Sequence, residues 1–597
     1  MMTRSQSSGV DFLDVFPPPI VPDINEDRDY YKYNDEVLSL IGDGKCWQIA
    51  VTILLSLFGL FPDFNNVLAV DAYYSPLYPK AYCKQFPKYA NWSRETWMNL
   101  SHYNGTDPCR IYDLDYDSLP SNFTPNFATP TKPCNQTIMY FDESSFTVTG
   151  KWDMICDREH LVPTYQYLYH FGRFLGSLLF GIWSDRRGRC IFLNWCILCQ
   201  PVFGLLAISS SNYNIFIFAQ TFLGICVGGA FTLSLVYIVE VSGPKTCAKL
   251  GTFAFLSICL SSFSLSFIHV AMCHWHYMQI FMTVPLVIFA LWREIFEESP
   301  RWLLVMQRPE DALLAMKLIA HRNKLLISPY LKLRSAAESD FIGEEDDDRN
   351  CNIWDVRNYP NLRIVIALLV LLHFGLATIL QVRTLRFTAL RINVHILTAL
   401  MGFIELVSIG CTIYFTPIIG HTKLTCIAMA AYGFLNLFLL IFVHSMISED
   451  YVMYMVLASI CYFLVVMSFA SINVYSCRVL PTIIRGSGFG LANSISSFGM
   501  LFATFVSRWS RSSDVKVFIL IFSLLSFLTA LVAYILPETS ERELPDTLRD
   551  GEHFQRRPRP RRWIAEEPGE ETERKVVLRP SSLRTESENE RSVPFKV

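Results

Sequence analysis

Charge is what this sequence has least of. Of its 597 residues, 18% are Asp, Glu, Lys or Arg and 51% are hydrophobic, whereas soluble domains run near about 25% charged. The mean hydropathy is +0.29. A net charge of -3 with both signs interspersed leaves no global basic field, so composition gives no ground for nucleic-acid binding. Residues 1–40 lack the short apolar core of a cleavable signal peptide and carry Pro17, Pro18 and Pro19 instead. Neither a nucleophile elbow nor a His-Glu-x-x-His pair is present, which removes the usual marks of a hydrolytic enzyme. No enzyme, bound cofactor or metal site is expected.

What the chain does have is long apolar runs, and a helix needs roughly 20 such residues to cross a bilayer. One lies near 47–72, and five more follow a long polar insert, near 161–182, 190–210, 214–239, 249–271 and 275–296. After a charged stretch at 297–361, six others lie near 362–382, 392–416, 424–444, 451–476, 486–507 and 515–536. The pattern predicts an all-α membrane protein of twelve transmembrane helices in two six-helix bundles. The first spans 46–296 with an outer loop at 73–160, and the second spans 362–536. A central loop at 297–361 joins them, between tails at 1–45 and 537–597. Asp63, Asp71, Arg173 and Glu405 interrupt individual runs.

The insert between the first two spans holds every Asn-x-Ser/Thr triplet in the chain, at Asn91, Asn99, Asn104, Asn122 and Asn135. Such triplets are glycosylation acceptors in exported loops. Cys83, Cys109, Cys134 and Cys156 share the segment and can form two disulfides by any of three pairings in an oxidising compartment. Both signals place this loop outside the cell and both termini in the cytoplasm, in a multi-pass plasma-membrane glycoprotein. The arginines of Ser184-Asp185-Arg186-Arg187-Gly188-Arg189 then lie inside, as positive charge tends to. Lys245, Lys249, Arg478 and Arg485 agree with that orientation. Arg383, Arg386, Arg391, Arg508, Arg511 and Lys516 are expected near external turns and run against it.

Gly181-Ile-Trp-Ser-Asp185-Arg186-Arg187-Gly188-Arg189 resembles the signature loop between the second and third helices of the major facilitator superfamily. Its flanks narrow the resemblance to the organic cation/anion/zwitterion transporter family of solute carriers. Trp152-Asp-Met-Ile-Cys156-Asp157-Arg158 resembles that family's entry to helix two, and Glu240-Val-Ser-Gly-Pro-Lys245 its exit from helix four. Glu298-Ser-Pro-Arg-Trp-Leu-Leu304, Pro481-Thr-Ile-Ile-Arg485, Leu536-Pro-Glu-Thr539 and Leu544-Pro-Asp-Thr547 follow in the family's order, over about residues 42–550. The resemblance implies a cytoplasmic gate built from Gly181, Asp185, Arg186, Gly188, Arg189, Glu240, Glu298, Arg301 and Arg485. The second half departs from the pattern. Thr416-Pro-Ile-Ile-Gly420-His421-Thr-Lys423 lacks the usual acid and paired bases, Arg478 stands where Glu is usual, and His276 where Arg is usual.

The same resemblance implies a solute site near the bilayer midplane between the halves, lined by Asn66 with its neighbour Asn65, Phe374, Phe469, Asn473 and Ser497. Aromatic rings there stack on organic solutes and attract cations. Ser497 occupies the family's charge-selecting position and announces neither sign. Glu405 is more informative, because a carboxylate at membrane depth must face a cavity or a partner. Two readings stand, cation or proton binding and a structural pair with Arg173. The expected function is alternating-access transport of a small organic cation or carnitine-like zwitterion, with lipid and solute as its partners. An organic-anion carrier using Arg173, or a non-transporting receptor or scaffold that kept the fold, is the alternative. The polar tails, the basic run at Arg556-Arg-Pro-Arg-Pro-Arg-Arg562 and the acidic run at 344–348 read as solvated chain.

Overall fold

The computed structural model describes residues 40–68, 81–83, 93–101, 109–114, 130–134, 138–140, 147–152, 154–243, 246–272, 274–289, 296–325, 332–335, 353–388, 394–442, 451–509, 515–540, 542, 544–554 and 563–566. The acidic run at 344–348, the basic run at 556–562, Lys245, Arg391, Arg511 and most of both tails lie outside these residues, as do the side chains of Asn65, Arg386 and Arg508.

Among the described residues, twelve long helices carry the fold. In the first half, α1 is Cys46–Leu55, continued through a π-helical turn at Ser56–Leu60 into Phe61–Leu68. It is followed by α2 (Leu161–Arg187), α3 (Arg189–Ser209) and α4 (Tyr213–Val241). α5 is Cys247–Ala254 with Leu256–Met272, and α6 is Trp275–Phe289. The second half holds α7 (Pro360–Thr388), α8 (Val394–Ile419), α9 (His421–Phe442), α10 (Tyr451–Val479), α11 (Arg485–Trp509) and α12 (Val515–Ile535). Ten of them are long and apolar enough to cross a membrane on length and composition alone. The other two are α2, which holds Gln166, His170, Arg173 and three charges in its last turn, and α6, described over 15 residues.

The two halves repeat one another helix for helix. In the first, α2 and α3 both pack on α4, α3 on α6 and α1 on α5. In the second, α8 and α9 both pack on α10, α9 on α12 and α7 on α11. Two seams join the halves, α2 against α11 and α5 against α8, which the same repeat relates. Large apolar side chains such as Trp195, Val202, Phe267, Ile418, Leu524 and Tyr534 stand exposed on the outer faces, where a lipid environment and not water suits them. Polar and charged side chains turn inward instead.

Small residues let these helices approach. On the α2–α4 contact, Gly172 and Gly176 meet the backbone of Thr221 and Ile225, while Gly224 and Gly228 meet the backbone of α2 near Tyr169 and Arg173. Small residues four apart on both helices are the membrane pattern for close backbone packing. Across the α2–α11 seam, a Cβ at Gly181 would collide with the carbonyl of Gly486, so that seam is intolerant of any side chain there.

At one face lies the insert between α1 and α2. Its described parts include a short antiparallel pair of β1 (Ala81–Cys83) with β4 (Ile138–Tyr140), and another of β2 (Arg110–Tyr112) with β3 (Thr131–Pro133). Of the three possible pairings, the disulfides are Cys83–Cys134 and Cys109–Cys156. Asn99 is exposed on the helix Arg94–Ser101, and the other four acceptor asparagines lie outside the described residues. The opposite face carries the described residues just before α1 and those that follow α12. There the helices Pro300–Val305 and Pro309–Arg322 fold under the first half, and Asn323 accepts from the amide of Trp47 at 2.9 Å at the start of α1.

Candidate functional site: a charged latch and a central acidic cavity

On the face opposite the disulfides, α2 runs five residues past the expected end of its apolar stretch and brings Asp185 to the start of α11. Gly188 ends it at φ +114°, a conformation that favours glycine, and α3 begins at once. The turn is held by Glu298, which accepts from the amides of Arg189 at 2.7 Å and Cys190 at 3.2 Å. A carboxylate on the first amides of a helix satisfies donors that have no partner within it. Burial pushes the Glu298 carboxyl upward, and these amides with the nearby Arg189 charge pull the other way.

The same turn delivers the charges that bridge the halves. Asp185 accepts from the amides of Gly486 at 2.9 Å and Ser487 at 2.6 Å, capping α11 from the other half, and pairs with Arg189. Arg189 also lies 3.2 Å from Glu240 and donates to the carbonyl of Thr482 at 2.8 Å. Glu240 in turn lies 3.2 Å from Arg485, whose guanidinium reaches the carbonyl of Pro545. Arg189, Glu240 and Arg485 have no exposed surface. Further out, Arg301 pairs with Asp546 at 2.9 Å and donates to the carbonyl of Leu544. Burial tends to raise the Asp546 carboxyl, but Arg301 and the Thr482 hydroxyl hold it below the usual carboxylate range. The Trp302 indole donates to the carbonyl of Asp185 at 3.1 Å. Arg186 is exposed at the rim. A network in which every buried charge is both paired and hydrogen-bonded is costly to break at any single member, so this face is closed.

The second half keeps the frame of this latch but not the counterparts of Asp185, Arg189 and Glu240. Gly420 turns at φ +95° between α8 and α9, and Glu538 accepts from the amides of His421 at 3.2 Å and Thr422 at 3.1 Å, as Glu298 does in the first half. Pro417 stands where Asp185 stands in the repeat, His421 where Arg189 stands, and Arg478 where Glu240 stands. His421 lies 3.2 Å from the Ser471 hydroxyl, and Arg478 donates to the carbonyl of Thr539 at 3.1 Å. The turn is kept and the bridge between halves is not.

Between the halves, at mid-depth, a cavity is lined by Asp63, Val67, Arg173, Ile258, Ser261, Ser262, Leu380, Gln381, Thr384, Glu405, Tyr462, Val466, Phe469 and Met500. Its three charged groups are arranged unequally. Arg173 donates through Nη2 to Asp63 Oδ2 at 2.7 Å, and its Nε lies 2.6 Å from Asp63 Oδ1, while Nη1 reaches the sulfur of Met500 at 3.0 Å. Among the described residues Glu405 accepts hydrogen bonds from hydroxyls alone, from Ser262 at 2.6 Å and from Tyr462. Among the described residues no Lys, Arg or His lies within ion-pair distance of it. The expected alternative of an Arg173–Glu405 pair is thereby corrected: the partner of Arg173 is Asp63, on α1.

Of the other sequence-derived candidates, Phe469 lines this cavity and meets Phe255 edge to face at 6.1 Å. Asn66, Phe374, Asn473 and Ser497 lie outside its wall. Asn66 donates back to the carbonyl of Pro62, Asn473 to that of Phe469 and Ser497 to that of Asn493. Phe374 lies against Phe498 and Phe502 at 6.2 and 5.8 Å. Arg383, expected near an external turn, is buried within α7 and bonds to Tyr432 and Asn436 on α9, which removes one exception to the expected orientation. Sequence reasoning did not single out Tyr462, Ser262 or Asp546. An acid inside an apolar run was the available signal for Asp63, and it was noted without its partner.

Twelve helices in two repeated bundles about a central cavity, latched at one face, define a major facilitator transporter. Two solved structures share the fold: the proton:xylose symporter XylE bound to 6-bromo-6-deoxy-D-glucose (TM-score 0.56, 16% identity, 85% of this chain and 99% of that one), and XylE from E. coli in a partially occluded inward-open conformation (TM-score 0.52, 16% identity, 83% and 100%). Residues 163–549 match the family model described as sugar (and other) transporter. The chain is 25% identical to an organic cation transporter protein of Drosophila melanogaster over 546 residues, covering 90% of this chain and 97% of that protein. It is 26% identical to solute carrier family 22 member 1 of Bos taurus (88% and 94%) and 24% identical to member 6 of Oryctolagus cuniculus (90% and 97%). The chain belongs to the sugar (and other) transporter family, in its solute carrier 22 branch of organic cation and anion carriers.

Proposed function

We propose that this protein carries small organic cations across the plasma membrane by alternating access, with Glu405 as the group that recognises positive charge. The observation that carries the reading is the contrast within one cavity. Arg173 is matched by Asp63 and Glu405 by hydroxyls alone, so the site holds one unmatched negative charge. A carboxylate in a partly dehydrated site attracts a cation far more than it does in water, where the interaction is about 1 kcal/mol at contact distance. The Phe469 and Tyr462 rings add surfaces on which a cation is further stabilised. The pairing of Arg173 counts against an organic-anion carrier, because an anion would have to displace Asp63. An uptake screen in proteoliposomes with labelled cations, zwitterions and anions tests this. Saturable uptake confined to cations is the expected result, preference for anions overturns the charge class, and no saturable uptake of any class supports a receptor.

In this reading the disulfide-bearing face is extracellular and the latched face, with both termini, is cytoplasmic. Glycosidase is expected to shift the mobility of protein made in animal cells, and replacing Asn91, Asn99, Asn104, Asn122 and Asn135 together to abolish the shift. A shift that persists, or labelling of the 73–160 loop only after permeabilisation, reverses the orientation.

Asp185→Asn weakens the cap on α11 and the pair with Arg189 without touching the cavity. It is expected to change maximal uptake severalfold while KM moves little, since it shifts the populations of the two access states and leaves the site unaltered. Uptake equal to the parent in a variant that reaches the surface removes the gating role.

A further inference from the structure

Resting on that reading, we propose that Glu405 exchanges a proton for the organic cation, so that each turnover moves one monovalent cation one way and one proton the other, with no net charge crossing. Among the described residues, the groups that face the carboxylate carry no net charge of their own. From α1 and α2 come Asp63 and Arg173, which cancel one another. From α5 come Ser262 and Cys259, and from α10 comes Tyr462. α7 contributes Gln381 and Thr384 to the cavity wall, while its Arg383 turns to α9, and α11 contributes Met500. With Glu405 ionised and the cavity empty, one negative charge is buried there with no counterion among the described residues.

Such a charge, buried at membrane depth, is the least favourable of the states available. Two others are neutral overall. In one, a monovalent cation sits against the carboxylate. In the other, a proton forms an O–H bond at Glu405, and the acid keeps its place between the hydroxyls of Ser262 and Tyr462, which accept as readily as they donate. The empty ionised carrier is therefore the form that resists closing, and return after cation release waits for a proton from that side. On the opposite side the O–H bond breaks, the proton leaves to water, and the next cation enters.

The test uses the full-length protein in liposomes and labelled quaternary ammonium ions, tetraethylammonium first, because their charge does not change with pH. With potential clamped by valinomycin and potassium, an acid interior should drive accumulation by about tenfold per unit of pH gradient, the equilibrium for one-to-one neutral exchange. An internal pH dye should register alkalinisation as the cation enters, and imposed potentials should leave the rate unchanged. In Glu405→Gln the dye response should vanish with the accumulation. Saturable uptake that follows potential and ignores the pH gradient overturns the exchange and leaves the carrier reading intact. A pH-driven response that survives in Glu405→Gln assigns the proton elsewhere and overturns the proposal at this residue. Absence of uptake for every quaternary ammonium ion removes both the exchange and the cation reading.

Discussion

Glu405→Gln is expected to lower initial organic-cation uptake by more than about tenfold at unchanged surface expression, with neutral solutes much less affected. Glutamine keeps the shape and can still bond to Ser262 and Tyr462, so the packing of α5, α8 and α10 around position 405 is preserved. What is lost is the charge that faces the cation. Removing one partner of a close charge pair in a desolvated site costs roughly 2–5 kcal/mol, and each 1.4 kcal/mol is about tenfold. Radiolabelled uptake alongside surface biotinylation reads the effect. Cation uptake that stays intact in a well-expressed variant removes Glu405 as the selecting group.

The second large effect is expected from the pair that crosses α1 and α2. Asp63→Asn leaves the Arg173 guanidinium buried beside a neutral amide, and Arg173→Gln leaves the Asp63 carboxylate in the same position. Arg173 is 2% and Asp63 1% exposed, so neither can turn to water without moving a helix. Breaking a buried pair from one side costs roughly 3–5 kcal/mol, and in a membrane protein that is read as lost surface expression and a lower melting temperature in detergent. The double variant Asp63→Asn with Arg173→Gln removes both charges and is expected to recover most of the loss. If the double variant is as unstable as the worse single one, the two residues do not act as a pair. Glu405→Gln is not expected to share this behaviour, since it removes a charge that has no counterion among the described residues. The two experiments thus separate a structural ion pair from a recognition group in one cavity.

Much of the fold was legible because membrane burial writes itself into long apolar runs, and those runs fall into two sets of six about a polar centre. Glu405 was legible for the reverse reason, as an acid where an apolar residue is the rule. Its partners were not. Whether Arg173 faces Glu405 or Asp63 depends on how α1, α2 and α8 are rotated about their axes, and apolar runs that are hydrophobic on every side carry no phase information. The extent of α2 misled for a related reason: its last turn is polar because it reaches the latch, so hydropathy ended it early. Phe374 illustrates the opposite failure. In a chain with 14% aromatic residues, a ring at mid-helix is compatible with the cavity wall or with packing on Phe498 and Phe502, where the structure places it. Asp546 escaped notice as a bridging residue because its position across from Arg301 follows from the path of the chain after α12, which no local pattern encodes. The disulfides were open among three pairings, and the structure shows one.

The unequal latch sets an order of events in time. Of the two seams between the halves, α2–α11 is fastened by Asp185 on the amides of Gly486 and Ser487, with Glu240 and Arg485 behind it. The repeat places Pro417 at the matching position of the α5–α8 seam, so the described residues of that side form no such clasp. Under the proposed alternating access, opening toward the latched face would begin at α5–α8 and finish at α2–α11, which carries the charged contacts. The hydrogen bond from Ser262 to Glu405 crosses the first seam. Under the proposed reading, a cation at Glu405 competes with that bond, so loading the carrier would also loosen the edge along which it first comes apart.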